Sequence, residues 1–216
     1  MTTPRRNRVT PFGRLEAVPA RGQLMGNRGD LHDSTGVISR EWKVKRWIAC
    51  ALVHPSGSRA VFDTSGRYTP LFFADEPTAL AAGHRPCAEC RRADYNVWRE
   101  GWRMAFGSSA SANDLDAALH QARIDRNGCK ITTQARLADL PDGVIVTLEN
   151  APESPLLLWE RETFAWTHEG YGAPLQLAAT TACRVLTPAP SVAVLSALNS
   201  RGVAFWPGFA APRLGS

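Results

Sequence analysis

The sequence predicts an α+β chain in two parts, and three observations carry that prediction. Tyr95, Trp98, Trp102 and Phe106 recur at helical spacing. Two cysteines, Cys87 and Cys90, stand at a turn just before that helix. Near residue 128 the period changes, and short β-like runs then alternate with Gly and Pro. The first part, 24–107, reads as a hairpin-plus-helix module stabilised by a zinc-type metal at the cysteine turn. The second, 114–216, reads as a small antiparallel β barrel or curled sheet. Residues 1–23 read as a flexible basic arm: they hold five arginines and no apolar period.

At 216 residues with 44% hydrophobic and 21% charged residues, the chain is long and apolar enough to bury a core. No apolar run approaches the roughly 20 residues of a membrane span. The basic start lacks an apolar stretch of the secretory type, so no such signal is expected. Five cysteines, two of them in a metal-type pair, favour a reducing cytoplasm over a disulfide framework. The net charge is +5, but residues 1–107 carry 17 Lys+Arg against 10 Asp+Glu, and residues 108–216 carry 8 against 10. The first half is therefore the polyanion-facing half.

Along the chain, 24–36 forms a glycine-punctuated loop, with Asn27, Arg28, Asp30, His32 and Asp33 set between Gly26, Gly29 and Gly36. Trp47–His54 reads as a buried strand, 55–58 as a turn and Arg59–Phe62 as a returning strand. Tyr68–Phe73 is a third extended run. Asp75 or Thr78 caps a short helix ending at Gly83. The longest helix is expected over Cys90–Phe106, its outer face bearing Arg91, Arg92, Arg99 and Arg103. Residues 107–113 read as a linker and 114–124 as a helix with His120 beside its apolar stripe. Strands are expected at 129–132, 144–148, 156–159, 162–168, 175–177 and 183–186. A helix follows over 192–199, and the aromatic tail from Phe205 either packs on the sheet or frays.

The Cys-x-x-Cys spacing lets two thiolates at a turn and helix start face one metal. A structural zinc takes four ligands. Cys50 is the only other cysteine in the basic half and is the expected third. For the fourth, His32 is preferred, then His54, then Asp30 or water. An unbroken strand would hold Cys50 and His54 about 13 Å apart, whereas the Gly-rich loop is free to fold over the site. Asp33 then stands as partner to the imidazole. Cys129 and Cys183 read as unliganded core residues.

The run Ala79-Leu80-Ala81-Ala82-Gly83-His84-Arg85-Pro86-Cys87-Ala88-Glu89-Cys90-Arg91 resembles the zinc-binding module of the Ada family of methyl-phosphotriester repair proteins. There an Ala-Leu-Ala-Ala-Gly-aromatic-Arg-Pro-Cys-x-x-Cys-Arg run supplies the second ligand pair. The resemblance covers about residues 47–92 and is tight over 79–91. It implies zinc, and a first pair spaced Cys-x-x-x-Cys, a spacing that Cys50 and His54 copy. His84 stands where that module has an aromatic. The methyl transfer of such proteins goes to a zinc-bound thiolate within a four-cysteine set, and this chain departs from that set. The whole chain is also similar to an uncharacterised bacterial protein family. The shared features are a Gly-Asn-Arg-Gly loop with His-Asp, the Arg-Pro-Cys-x-x-Cys run and a Leu-Pro-Asp-Gly strand start. That likeness carries no activity.

These features point first to a zinc-binding nucleic-acid-binding protein, DNA favoured, of repair or modification. Arg28, Arg91, Arg92 and Arg99 are its expected phosphate or base contacts. The alternative is a zinc-dependent enzyme, of hydrolase or methyl-acceptor type, acting on nucleic acid or a nucleotide, with His32, Asp33 and Arg28 as catalytic candidates. A deaminase is disfavoured, because no His-x-Glu or Cys-x-Glu precedes Pro86. A second alternative is a protein-interaction module.

Overall fold

The computed structural model describes residues 4–57, 68–203 and 205. Among them the chain forms an α+β fold with two six-stranded sheets. The first sheet contains β1 (Arg8–Val9), β2 (Leu15–Glu16), β3 (Leu24–Asn27), β4 (Ile48–Ala51), β5 (Leu71–Phe73) and β6 (Arg85–Pro86). Their spatial order is β2-β1-β5-β3-β4-β6. Two of its pairings, β1 with β5 and β4 with β6, are parallel, and the others are antiparallel.

The segment expected as a flexible arm thus supplies two strands instead. Val9 and Leu15 are buried in the cluster that holds Leu71 and Phe73, and that apolar anchorage outweighs the charge of the neighbouring arginines. The Gly-rich loop also begins as a strand, β3, with Met25 and Gly26 inside the sheet. The expected hairpin partner of Trp47–His54, residues 59–62, lies outside the described residues. Over Ile48–Ala51, β4 pairs with β3 on one side and β6 on the other.

Helix α1 (Glu76–Ala81) starts at Asp75, whose carboxylate accepts from the Thr78 N–H at 2.8 Å. It ends at Gly83, where φ is +88°. A Cβ there would also stand 2.6 Å from Arg123 Cδ, so both conformation and space require glycine. Helix α2 (Arg92–Phe106) buries Tyr95, Trp98 and Trp102 and leaves Phe106 exposed. Helix α3 (Ala112–Arg123) is closed by a Ser111–Asp114 capping box.

The second sheet contains β7 (Thr133–Arg136), β8 (Ile145–Leu148), β9 (Ala151–Trp159), β10 (Glu162–Thr167), β11 (Gly170–Leu175) and β12 (Ala182–Val185). All its pairings are antiparallel, in the order β11-β10-β9-β8-β12-β7. It is open, with β11 and β7 at its two edges, and is not the barrel that short strands allowed. The physical reason is its cover. Val144, Val146, Leu156 and Val185 pack with Trp98 and Trp102 of α2 and with Val194 and Leu198 of α4 (Ala189–Asn199). Ile145 and Leu157 pack with Ala81 of α1. A sheet covered by helices buries its apolar faces without closing on itself.

Residues from both expected parts of the chain share that first core cluster, which Phe205 also joins against Trp98. Helices α2 and α4 meet closely at Gly101, where a Cβ would stand 2.8 Å from Val194 Cγ1 and Leu198 Cγ. Cys183 is buried as expected of a core residue, but Cys129 is exposed, on the turn after α3.

Candidate metal centre

The parallel rungs Ile48–Arg85 and Ala49–Pro86 set β4 and β6 in register. The next residue on each strand is a cysteine, so Cys50 and Cys87 stand side by side, and the Cys87 N–H donates to the Ala49 carbonyl at 2.9 Å. The chain then turns through 88–90 and brings Cys90 back. The three sulfurs lie within 4.8 Å of one another. Thiolates sharing one zinc stand about 4 Å apart, so the set fits such a metal. Backbone N–H groups already address two of the sulfurs: Ala51 reaches Cys90 Sγ and Glu89 reaches Cys87 Sγ, each at 3.4 Å.

The thiol titration bears the same mark. A hydrogen bond from Cys50 pushes the Cys87 thiol down to about 5. Cys50 is raised by that bond and by burial, and Cys90 is raised by burial. The crowded thiols thus oppose one another's ionisation, and a cation among them would allow all three to ionise.

The cysteines open on a cavity of about 430 Å³ that Arg46, His54, Tyr68, Arg85 and Asn113 also line. Strand β4 ends at Ala51, so the separation expected of an unbroken Cys50–His54 strand does not apply. The His54 Nδ1 is bound to Ser56 Oγ at 2.8 Å, and its Nε2 faces Glu89 Oε1 at 3.6 Å, between the paired cysteines in sequence.

His32 is not brought to the cysteines. It is buried elsewhere, with Nδ1 2.5 Å from Thr69 Oγ1 and 3.7 Å from Asp30 Oδ1, and its backbone bridges to Ile38. The loop does not fold over the thiols because Thr69 holds it, also accepting the Leu31 N–H at 2.7 Å. Asp33 is exposed and closes its own turn, accepting from Thr35 N and Val37 N at 2.9 and 3.1 Å. Its carboxyl is lowered, first by the Thr35 hydroxyl.

Of the expected nucleic-acid contacts, Arg92 and Arg99 are exposed on α2. Arg91 is not available to phosphate: it is buried and binds Glu76 at 2.5 Å and Asp94 at 2.8 Å. Arg28 is also buried. Its Cζ lies 4.1 Å from the centre of a Trp47 ring, and Arg123 Cζ lies 3.9 Å from the same residue's ring. Arg28 Nε donates to His84 Nε2 at 3.2 Å, and burial with two nearby arginines keeps that imidazole neutral, well below the usual histidine range.

Trp47, His84, Arg123 and Lys130 are the residues that sequence reasoning missed. One signal was present: Leu115, Leu119 and Arg123 follow each other at four-residue steps, so Arg123 falls on the buried stripe of α3. The segment between the two regions is shared. Glu41, Trp42 and Trp47 line a second cavity of about 430 Å³, while Arg46 and Ile48 line the cavity of the cysteines.

Compared with known proteins, the chain matches no family model, no curated protein and no solved structure.

Proposed function

We propose that the chain is a zinc protein that binds nucleic acid, with DNA as the favoured partner. The observation that carries this reading is the convergence of Cys50, Cys87 and Cys90 beside a basic segment. These three thiolates would hold the metal, and His54, which lines the same cavity outside the three-sulfur cluster, would supply the fourth donor by turning Nε2 from Glu89 to the metal. Nδ1 stays with Ser56, the outer partner that orients a ligating imidazole. The metal supplies cohesion: it would tie β4, β6 and the start of α2 together.

Nucleic acid is the proposed partner because exposed cations stand on the two segments that carry the cysteines. Arg46 lines its cavity, Lys45 precedes it, and Arg92 and Arg99 stand on the helix that follows Cys90. Such a surface neutralises phosphates without reading sequence. The test is metal analysis together with binding of a duplex and a single-stranded oligonucleotide at several salt concentrations. Metal-free protein as purified, or affinity indifferent to salt, defeats the reading.

One observation favours a second reading. The thiols open on a cavity rather than lying sealed in the core. A reachable thiolate suits a methyl acceptor acting on nucleic acid, the chemistry of the Ada resemblance. Mass analysis after incubation with methylated DNA separates the two readings, because only the acceptor gains about 14 Da on a cysteine peptide.

A further inference from the structure

Four arginines are buried among the described residues: Arg28, Arg85, Arg91 and Arg123. The fold gives two of them carboxylates. Arg85 meets Asp116 through two bonds of 2.8 Å, and Arg91 meets Glu76. Arg28 and Arg123, each about 1% exposed, have no carboxylate within 4 Å among the described residues. Lys130 stands with them and donates to the Ala81 carbonyl at 2.6 Å. A buried charge without a carboxylate in contact is costly, and two such arginines beside a half-buried lysine gain by binding an anion; Glu41 and Asp116 offset their charge only from a distance.

Arg28 Nη1 and both Arg123 Nη atoms serve backbone carbonyls, but one donor on each arginine is unspent. Arg28 Nη2 and Arg123 Nε make no hydrogen bond. Both arginines and Lys130 line the cavity of about 430 Å³, with Arg14 and Arg184 at its wall. Of the two carboxylates that line it, Glu153 is bound to Arg14 and Glu41 lies near Arg6.

We propose that this cavity is a binding site for a phosphate monoester of mononucleotide size. The phosphoryl group goes to Arg28, Arg123 and Lys130, since a dianion with several acceptor oxygens matches three cations better than a single carboxylate does. The volume accepts a nucleoside as well. Trp42, partly exposed and edge-on to His120, offers the wall for a flat base. Burial pushes both arginines down to about 9 and Lys130 to about 7; neighbouring arginines add to the effect on Arg123 and Lys130, while Glu41 opposes it on Arg28. The phosphate comes either from a free nucleotide or from the 5′ end of a strand, and only the second source rests on the nucleic-acid reading.

Calorimetric titration of the full-length, metal-loaded protein tests this with adenosine 5′-monophosphate, adenosine, inorganic phosphate and a short DNA strand with and without its 5′-phosphate. The monophosphate is expected to bind at least about a hundredfold more tightly than adenosine, and inorganic phosphate to compete. Lys130→Met, with its fold verified by an unchanged circular dichroism spectrum, is expected to weaken the monophosphate about tenfold. No binding of monophosphate to the wild type, equal binding of adenosine, or a folded Lys130→Met that binds as the wild type does overturns the proposal. Monophosphate binding with no strand binding supports the cavity and defeats the nucleic-acid reading. A strand favoured by its 5′-phosphate supports both. Strands that bind equally with and without it, uncontested by a monophosphate that itself binds, support both readings at separate places and assign the cavity to the free nucleotide.

Discussion

The Arg91 guanidinium meets the Glu76 carboxylate at 2.5 Å, in a pair whose side chains are both almost wholly buried. It joins the turn that carries Cys90 to the first turn of α1. Removing one partner strands the other charge in the core. Glu76→Ala should therefore lose about 3–5 kcal/mol in urea unfolding. Arg92→Ala, one position on and exposed, should stay within about 0.5 kcal/mol.

Zinc retention should separate the candidate ligands. Cys50→Ser is expected to lose metal sharply against a chromogenic chelator, because a hydroxyl is a poor substitute for a thiolate. His54→Ala should hold zinc more weakly than the wild type. His32→Ala should retain it, and lose about 1–3 kcal/mol of stability instead as Thr69 loses its partner. Full loss of zinc in His32→Ala would bring the Gly-rich loop back into the site.

The salt dependence of DNA binding should report which arginines touch phosphate. Arg92→Ala with Arg99→Ala should weaken binding and reduce the slope of log K on log salt by about 0.9 for each phosphate left without its arginine. Arg91→Ala should destabilise the protein while leaving that slope as it was.

Stability should rise with pH through the range in which Lys130 titrates. Its folded value, about 7, lies below the 10.5 of the unfolded chain. Between these values the unfolded state binds more protons, so raising the pH favours the fold. Burial is the first cause, and Arg28 and Arg123 repel the ammonium further. The unfolding free energy of the wild type minus that of Lys130→Met should climb between pH 7 and 9. A flat difference would refute the assignment.

The elements that repeat a simple period were legible in the sequence. Helix α2 showed itself by its aromatic spacing, and β8 to β10 and β12 by short apolar runs between turn residues. Strands β1 and β2 were not, because two-residue strands carry no period; Val9 and Leu15 are held by Phe73 and Leu71, which come some sixty residues later. The cysteine pair was legible from its spacing together with the Ala-Ala-Gly-His-Arg-Pro run before it. The gathering of Cys50 to it depends on parallel pairing of β4 with β6, a long-range contact. An unbroken strand would place His54 behind His32 as a ligand, whereas the strand stops at Ala51. Helical spacing puts Arg91 on the outer face of α2, and only the fold reveals the glutamate beneath it.

Strand β4 is four residues long, preceded by Trp47 and carrying Cys50. Metal and phosphate, if both bind, thus pull on opposite ends of one short lever. Trp47, under the two arginines, directly precedes the strand whose third residue, Cys50, would hold the metal. Thermodynamic linkage makes any coupling through it mutual: any factor by which zinc tightens the nucleotide is the factor by which the nucleotide tightens zinc.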